Sequence, residues 1–279
     1  MAAIADQFPP AQRGTPISIL LCASFFGLAI GNPSVALLAG VGGWRLPFYV
    51  VAALLAIVWG LQWCWFPQRP QITQPFSFAG YFKQVSRSIS LGYVLVANVF
   101  YQTAAFAIFV YFVAFLIGMH GLKEGGTALP LAVVGTGAMV GSLLGGFLAN
   151  HSQRLTWSAL ALLVGGGSVS VALTFGFSPW IAIALCCASA LLLTIFEPVT
   201  WALTAEFAGE SRATANGLLA TSNQLGGIGG ASIGGLALAL GGFPMVGLFC
   251  FGAAAVASAL VTVLRLQITR TARVEAKAA

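Results

Sequence analysis

The chain has 279 residues, 59% of them hydrophobic and only 6% Asp, Glu, Lys or Arg, with twelve basic against six acidic side chains. A soluble domain carries about 25% charged residues to face water, so this composition excludes a water-facing globular surface and makes lipid the solvent. The net charge of +6 is spread thinly between apolar runs, which reads as loop asymmetry at a membrane and excludes a nucleic-acid surface.

The first sixteen residues carry Asp6, Pro9, Pro10 and Arg13 and show no signal-peptide pattern, so the chain is expected to open in a hydrophilic loop. Crossing a hydrocarbon core takes roughly 20 apolar residues in a helix. On that length, spans are predicted at 17–40, 46–66, 90–118, 127–149, 155–177, 180–204, 214–239 and 243–264. The predicted fold class is an all-α membrane protein, an eight-helix transmembrane bundle. Gly42-Gly43-Trp44-Arg45 ends the first span, and Pro67 with Arg69 ends the second. Lys123-Glu124-Gly125-Gly126 and the segment Asn150 to Arg154 make the next two boundaries. Residues 213–264 hold no charge and are too long for one span, and Gly241-Gly242 with Pro244 divides them.

With eight spans, alternate loops share a side. One side gathers Arg13, Arg69, Lys83, Arg87, Arg154, Arg212, Arg265, Arg270, Arg273 and Lys277, and the other only Arg45 and Lys123. The positive-inside rule then puts both termini in the cytoplasm, with a multi-pass chain in the plasma membrane.

An internal duplication follows. At an offset of 199, Arg13 meets Arg212, Gly27 meets Gly226, Gly31 meets Gly230, and Gly42-Gly43 meets Gly241-Gly242. Ala5-Asp6 matches Ala205-Glu206 after a one-residue gap. Parallel repeats of this size mark two homologous halves of a secondary transporter. Four helices (90–204) precede the second copy and none precedes the first. The expectation is therefore a twelve-helix, two-half fold lacking its first four helices. Residues 1–66 would be the remnant of the first half, 67–89 the linker, and 90–279 a complete six-helix second half with its tail.

These residues resemble the major facilitator superfamily, and within it the drug or sugar efflux antiporters. The opening AAIADQFPPAQRG is similar to the family's loop before its fifth helix. Gly27-x-x-x-Gly31 followed by Asn32-Pro33 resembles the fifth-helix antiporter motif, with Asn32 in place of Pro. GGWRLPF (42–48) is similar to the turn into the sixth helix. GGFLANHSQR (145–154) resembles the short loop motif of the second half, with Asn150 for Asp and His151 for Arg. AEFAGESRATANGLLATSNQLGGIGG (205–230) is similar to the loop and eleventh helix of efflux members. The resemblance implies proton-coupled efflux of a small organic molecule by alternating access. It also implies that Asp6 with Arg13, and Glu206 with Arg212, form cytoplasmic gate contacts; positive-inside topology alone accounts for the two arginines equally well.

Glu197 is the one acidic residue well inside a predicted span. At that depth a carboxylate must be protonated, paired or facing water, which makes it the candidate proton-coupling site or, alternatively, a structural carboxylic acid bonded to a neighbouring helix. Asn98, Tyr101 and Gln102 share a helix face at i, i+3 and i+4; with Asn32, Asn223 and Gln224 they are the candidate cavity residues, or else interhelical hydrogen-bonding groups. Gly27 and Gly31, with the rows Gly137-Gly141-Gly145 and Gly226-Gly230-Gly234, read as surfaces for close helix packing in lipid. The five cysteines lie in apolar segments and read as small buried residues rather than disulfides or metal ligands. Gly230-Ala231-Ser232-Ile233-Gly234 fits a nucleophile elbow without a preceding strand. No nucleophile–base pair, metal constellation or cofactor motif stands out, so an enzyme is not expected. The competing reading is a non-transporting membrane fragment or an assembly partner.

Overall fold

The computed structural model describes residues 41–65, 88–122, 124–175, 177–209 and 212–278, together with 16, 19–20, 23, 26–31, 34 and 38. The described elements are all helical. They are α1 (Leu46–Trp65), α2 (Ile89–His120), α3 (Ala128–Ala149), α4 (Arg154–Thr174), α5 (Pro179–Thr194), α6 (Phe196–Phe207) and α7 (Arg212–Ala278). A π-helical turn occupies Gly27–Gly31 and a 3-10 turn Glu124–Thr127.

Local chemistry sets the boundaries. Ser88 caps α2 by accepting a hydrogen bond from the Leu91 N–H at 3.3 Å, and Gly121 closes it in the left-handed region at φ 64°. Pro179 begins α5, where its missing N–H costs nothing. The predicted span 180–204 is interrupted at Ile195, between α5 and α6. Pro198 has no N–H to return to the Thr194 carbonyl, so the ladder cannot run through that turn.

Helix α7 is 67 residues long, roughly 100 Å if straight, more than three times the hydrocarbon thickness. Gly241 (φ −149°) and Gly242 (φ 67°) leave helical geometry and divide it into two arms. Gly43, the partner of Gly242 at the 199-residue offset, also takes a left-handed φ of 73°. Glycine adopts that region without steric penalty. Gly43 and Gly242 thus make the same kind of backbone break.

Among the described residues, six helical stretches are long and apolar enough to cross a membrane: 46–64, 89–120, 128–149, 154–174, 179–207 and 214–270. The expected count of eight is not reached. The spans expected at 214–239 and 243–264 fall within one helical element, and the span expected at 17–40 lies largely outside the described residues.

Packing follows small residues. The first arm of α7 lies on α2, the second arm on α4, α3 on α5, and α4 on α5. In lipid no hydrophobic force drives helices together, so close van der Waals contact carries the association. A Cβ on Gly137 would fall 2.7 Å from the Cys187 carbonyl oxygen. On Gly141 and Gly145 it would strike the Leu191 and Ile195 carbonyls. Gly226, Gly230 and Gly234 meet Gln102, Thr103 and Tyr111 of α2 in the same way. Thr194 donates to Ala138 O at 2.9 Å across the α3–α5 contact, and Ser258 to Ala159 O at 2.7 Å across α4–α7. The continuous core runs through α2 to α7 from Val94 to Leu264. Of the described side chains of α1 only Pro47 is buried, and Trp59 and Trp63 are both exposed. Cys186 and Cys250 are buried as expected, whereas Cys64 lies on the exposed surface of α1.

Candidate functional site

The site is built where α2, α6 and the first arm of α7 converge. Glu197 lies in the first turn of α6, immediately after the Ile195 break, and is nine-tenths buried. The Tyr101 hydroxyl of α2 donates to its Oε2 at 3.1 Å. Tyr101 is held in turn by an edge-on contact with Phe196, ring centroids 5.6 Å apart. Thr200 donates to the Glu197 carbonyl oxygen at 2.7 Å and steadies the turn that carries it.

One turn from Tyr101, Asn98 reaches across to α7. Its Nδ2 donates to Ser222 Oγ at 2.7 Å and to Asn223 Oδ1 at 2.5 Å. Asn98, Gln102 and Ser222 are buried. The structure therefore brings together Glu197, Asn98, Tyr101, Gln102 and Asn223. Gln224 points away and is exposed, because a helix cannot aim neighbouring residues at the same partner. Ser222 completes the cluster and takes the place expected of Gln224. Asn32 lies outside the described residues.

Of the expected gate residues, the side chain of Glu206 is described. Arg154 at the start of α4 donates from Nη2 to Glu206 Oε2 at 2.5 Å and from Nη1 to Ala149 O at 3.2 Å. Glu206 is thus paired with Arg154. The Arg212 side chain, Asp6 and Arg13 lie outside the described residues. The Arg154 contact joins residues 52 positions apart; the one sequence signal for it was that both fall in loops assigned to the same face. Gly27 and Gly31 lie alongside α3, yet a Cβ on either would meet nothing within 4 Å among the described residues. His120 is the last residue of α2 and packs edge-on against Phe115, ring centroids 5.2 Å apart.

A bundle of apolar helices holding one buried acid and a polar cross-helix cluster defines a multi-pass membrane protein built around an internal polar site. The sequence pattern of the Major Facilitator Superfamily matches residues 1–231. Among solved structures the chain is similar to FucP, a Major Facilitator Superfamily transporter in the outward conformation. Identity is 15% and the TM-score 0.71, over 94% of this chain and 70% of that one. It is also similar to a bacterial homolog of the human lysosomal transporter Spinster, inward-facing and unoccupied. There identity is 18% and the TM-score 0.57, over 94% and 71% of the two chains. The chain belongs to the major facilitator superfamily and serves membrane transport.

Proposed function

We propose that this chain works in proton-coupled efflux of a small organic solute by alternating access, with Glu197 as the proton-binding group. The observation that carries the reading is the burial of Glu197, hydrogen-bonded by Tyr101, at the meeting of three helices. An ionised carboxylate in that position costs several kcal/mol unless it is paired or facing water, so its protonation can follow a change of access or partner during transport. Asn98, Tyr101, Gln102 and Asn223 line the same convergence and, together with Asn32, are the solute-facing candidates. In this reading the chain holds eight spans. Gly43 ends the first and Gly242 the seventh, as their matching backbone breaks suggest. Residues 1–66 belong to the first half, 67–89 link the halves, and 90–279 form the second half, with both termini in the cytoplasm of a plasma-membrane protein. Asp6, Arg13, Arg212 and the Arg154–Glu206 pair hold the cytoplasmic side closed in one state.

Alternating access needs two walls around the solute. The exposed flank of α1 supports a second reading for residues 1–279 taken alone: a non-transporting fragment or assembly partner that functions with four further helices. The test is solute-induced dissipation of a pH gradient in inverted vesicles, with and without a complete first half. Dissipation that requires the complete form and is lost in Glu197→Gln supports the coupled transporter. Dissipation that persists in Glu197→Gln refutes the role of Glu197.

A further inference from the structure

Below Glu197, on the side read as cytoplasmic, four buried polar atoms have no hydrogen-bond partner among the described residues: Trp201 Nε1, Thr204 Oγ1, Asn98 Oδ1 and Asn216 Oδ1. Their heights follow from the packing. Leu91 of α2, Ala208 after α6 and Ala215 of α7 meet in one small cluster at that end, and Tyr101 meets Glu197 further in. Helices α2 and α6 therefore run antiparallel, side by side, between these two contacts. At 1.5 Å per residue, Thr204 stands roughly 6 Å, Trp201 roughly 10 Å and Glu197 roughly 16 Å inward from Ala208. Asn98, seven residues from Leu91, stands at the height of Trp201. Asn216 is at the mouth.

Glu197, Trp201 and Thr204 fall at i, i+4 and i+7 on α6 and so share one face. At that spacing the Trp201 side chain neighbours Glu197 on the helix surface. The Thr204 hydroxyl, like those of Ser142 and Ser158, has no hydrogen-bond partner among the described residues. Thr103, Thr136, Thr221 and Thr262 return theirs to the carbonyl one turn back, as lone hydroxyls in lipid normally do. Thr204 does not, although it is fully buried. Buried polar groups left open by protein are satisfied by internal water where several converge.

We propose that a file of water joins Glu197 to the cytoplasmic face between α2, α6 and the first arm of α7, held by Trp201 and Thr204. This rests on the reading of Glu197 as the proton-binding group and gives it a route. A proton moves from cytoplasmic water along the file to the Glu197 carboxylate, and back by the reverse path. Trp201 and Thr204 orient the waters and keep their own protons. Tyr101 is the titratable group facing Glu197, and Arg154 with Glu206 stands at the outer end.

The test is hydrogen–deuterium exchange of the Glu197 carboxyl by infrared spectroscopy on residues 1–279 in lipid nanodiscs, with the band assigned by its loss in Glu197→Gln. Exchange in the unmodified chain is expected within mixing. Thr204→Val combined with Trp201→Phe should slow it by about tenfold or more, and Thr204→Ser should leave it fast. Equal rates in Thr204→Val/Trp201→Phe and the unmodified chain overturn the proposal. Fast exchange with pH-independent transport would remove the coupling role of Glu197 and leave the water path standing.

Discussion

Gly141→Ala is the sharpest perturbation of the packing. The added Cβ would collide with the Leu191 carbonyl and the Thr194 hydroxyl of α5. A backbone carbonyl cannot swing aside, so α3 and α5 must separate. Forcing a methyl into a filled contact costs about 1–3 kcal/mol. Separation also stretches the Thr194–Ala138 hydrogen bond, worth about 0.6 kcal/mol between membrane helices. Alanine returns up to about 1 kcal/mol of helix propensity. The net loss is about 2 kcal/mol, which corresponds to a melting temperature lower by roughly 6 °C for a chain of this size. Cys186 and Cys250 are buried, so a thiol-reactive dye reports the unfolding. Gly167→Ala is the control, because a Cβ there meets nothing within 4 Å. It should melt at or above the unmodified temperature. Equal melting of Gly141→Ala and Gly167→Ala would refute the packing argument.

Asn98→Leu should lower stability by about 1–2 kcal/mol, since it removes the α2–α7 tie and strands Ser222 and Asn223, and the same dye-based melt checks it. Arg154→Gln and Glu206→Gln should each cost less than about 1 kcal/mol, because both side chains are part-exposed. A double-mutant cycle should show that the two losses are not additive. Reconstituted residues 1–279 should give no solute accumulation or efflux in a liposome flux assay, and robust transport by that polypeptide would contradict the need for a second wall.

Much of the fold was legible in the sequence because lipid leaves few options. A chain with so little charge must satisfy its backbone within helices, and Gly, Pro and Arg marked the ends within a few residues. The glycine rows at 137–145 and 226–234 were readable for a similar reason, since a fourfold spacing of small residues suits one purpose in lipid. Glu197 stood out by depth alone, but its partner did not. Tyr101 lies 96 positions away, and only the three-dimensional convergence of α2 and α6 selects it. Arg154 with Glu206 was missed for the same physical reason. Loop charges on one face have many possible partners, and helix packing decides which two meet.

The pH dependence of solute efflux, measured in vesicles carrying the transporter with both halves complete, tests the central claim most directly. The account predicts that an opposing proton gradient drives efflux in the unmodified protein. It predicts that Glu197→Gln abolishes that response while solute exchange without a gradient survives. An unchanged pH dependence in Glu197→Gln would contradict it.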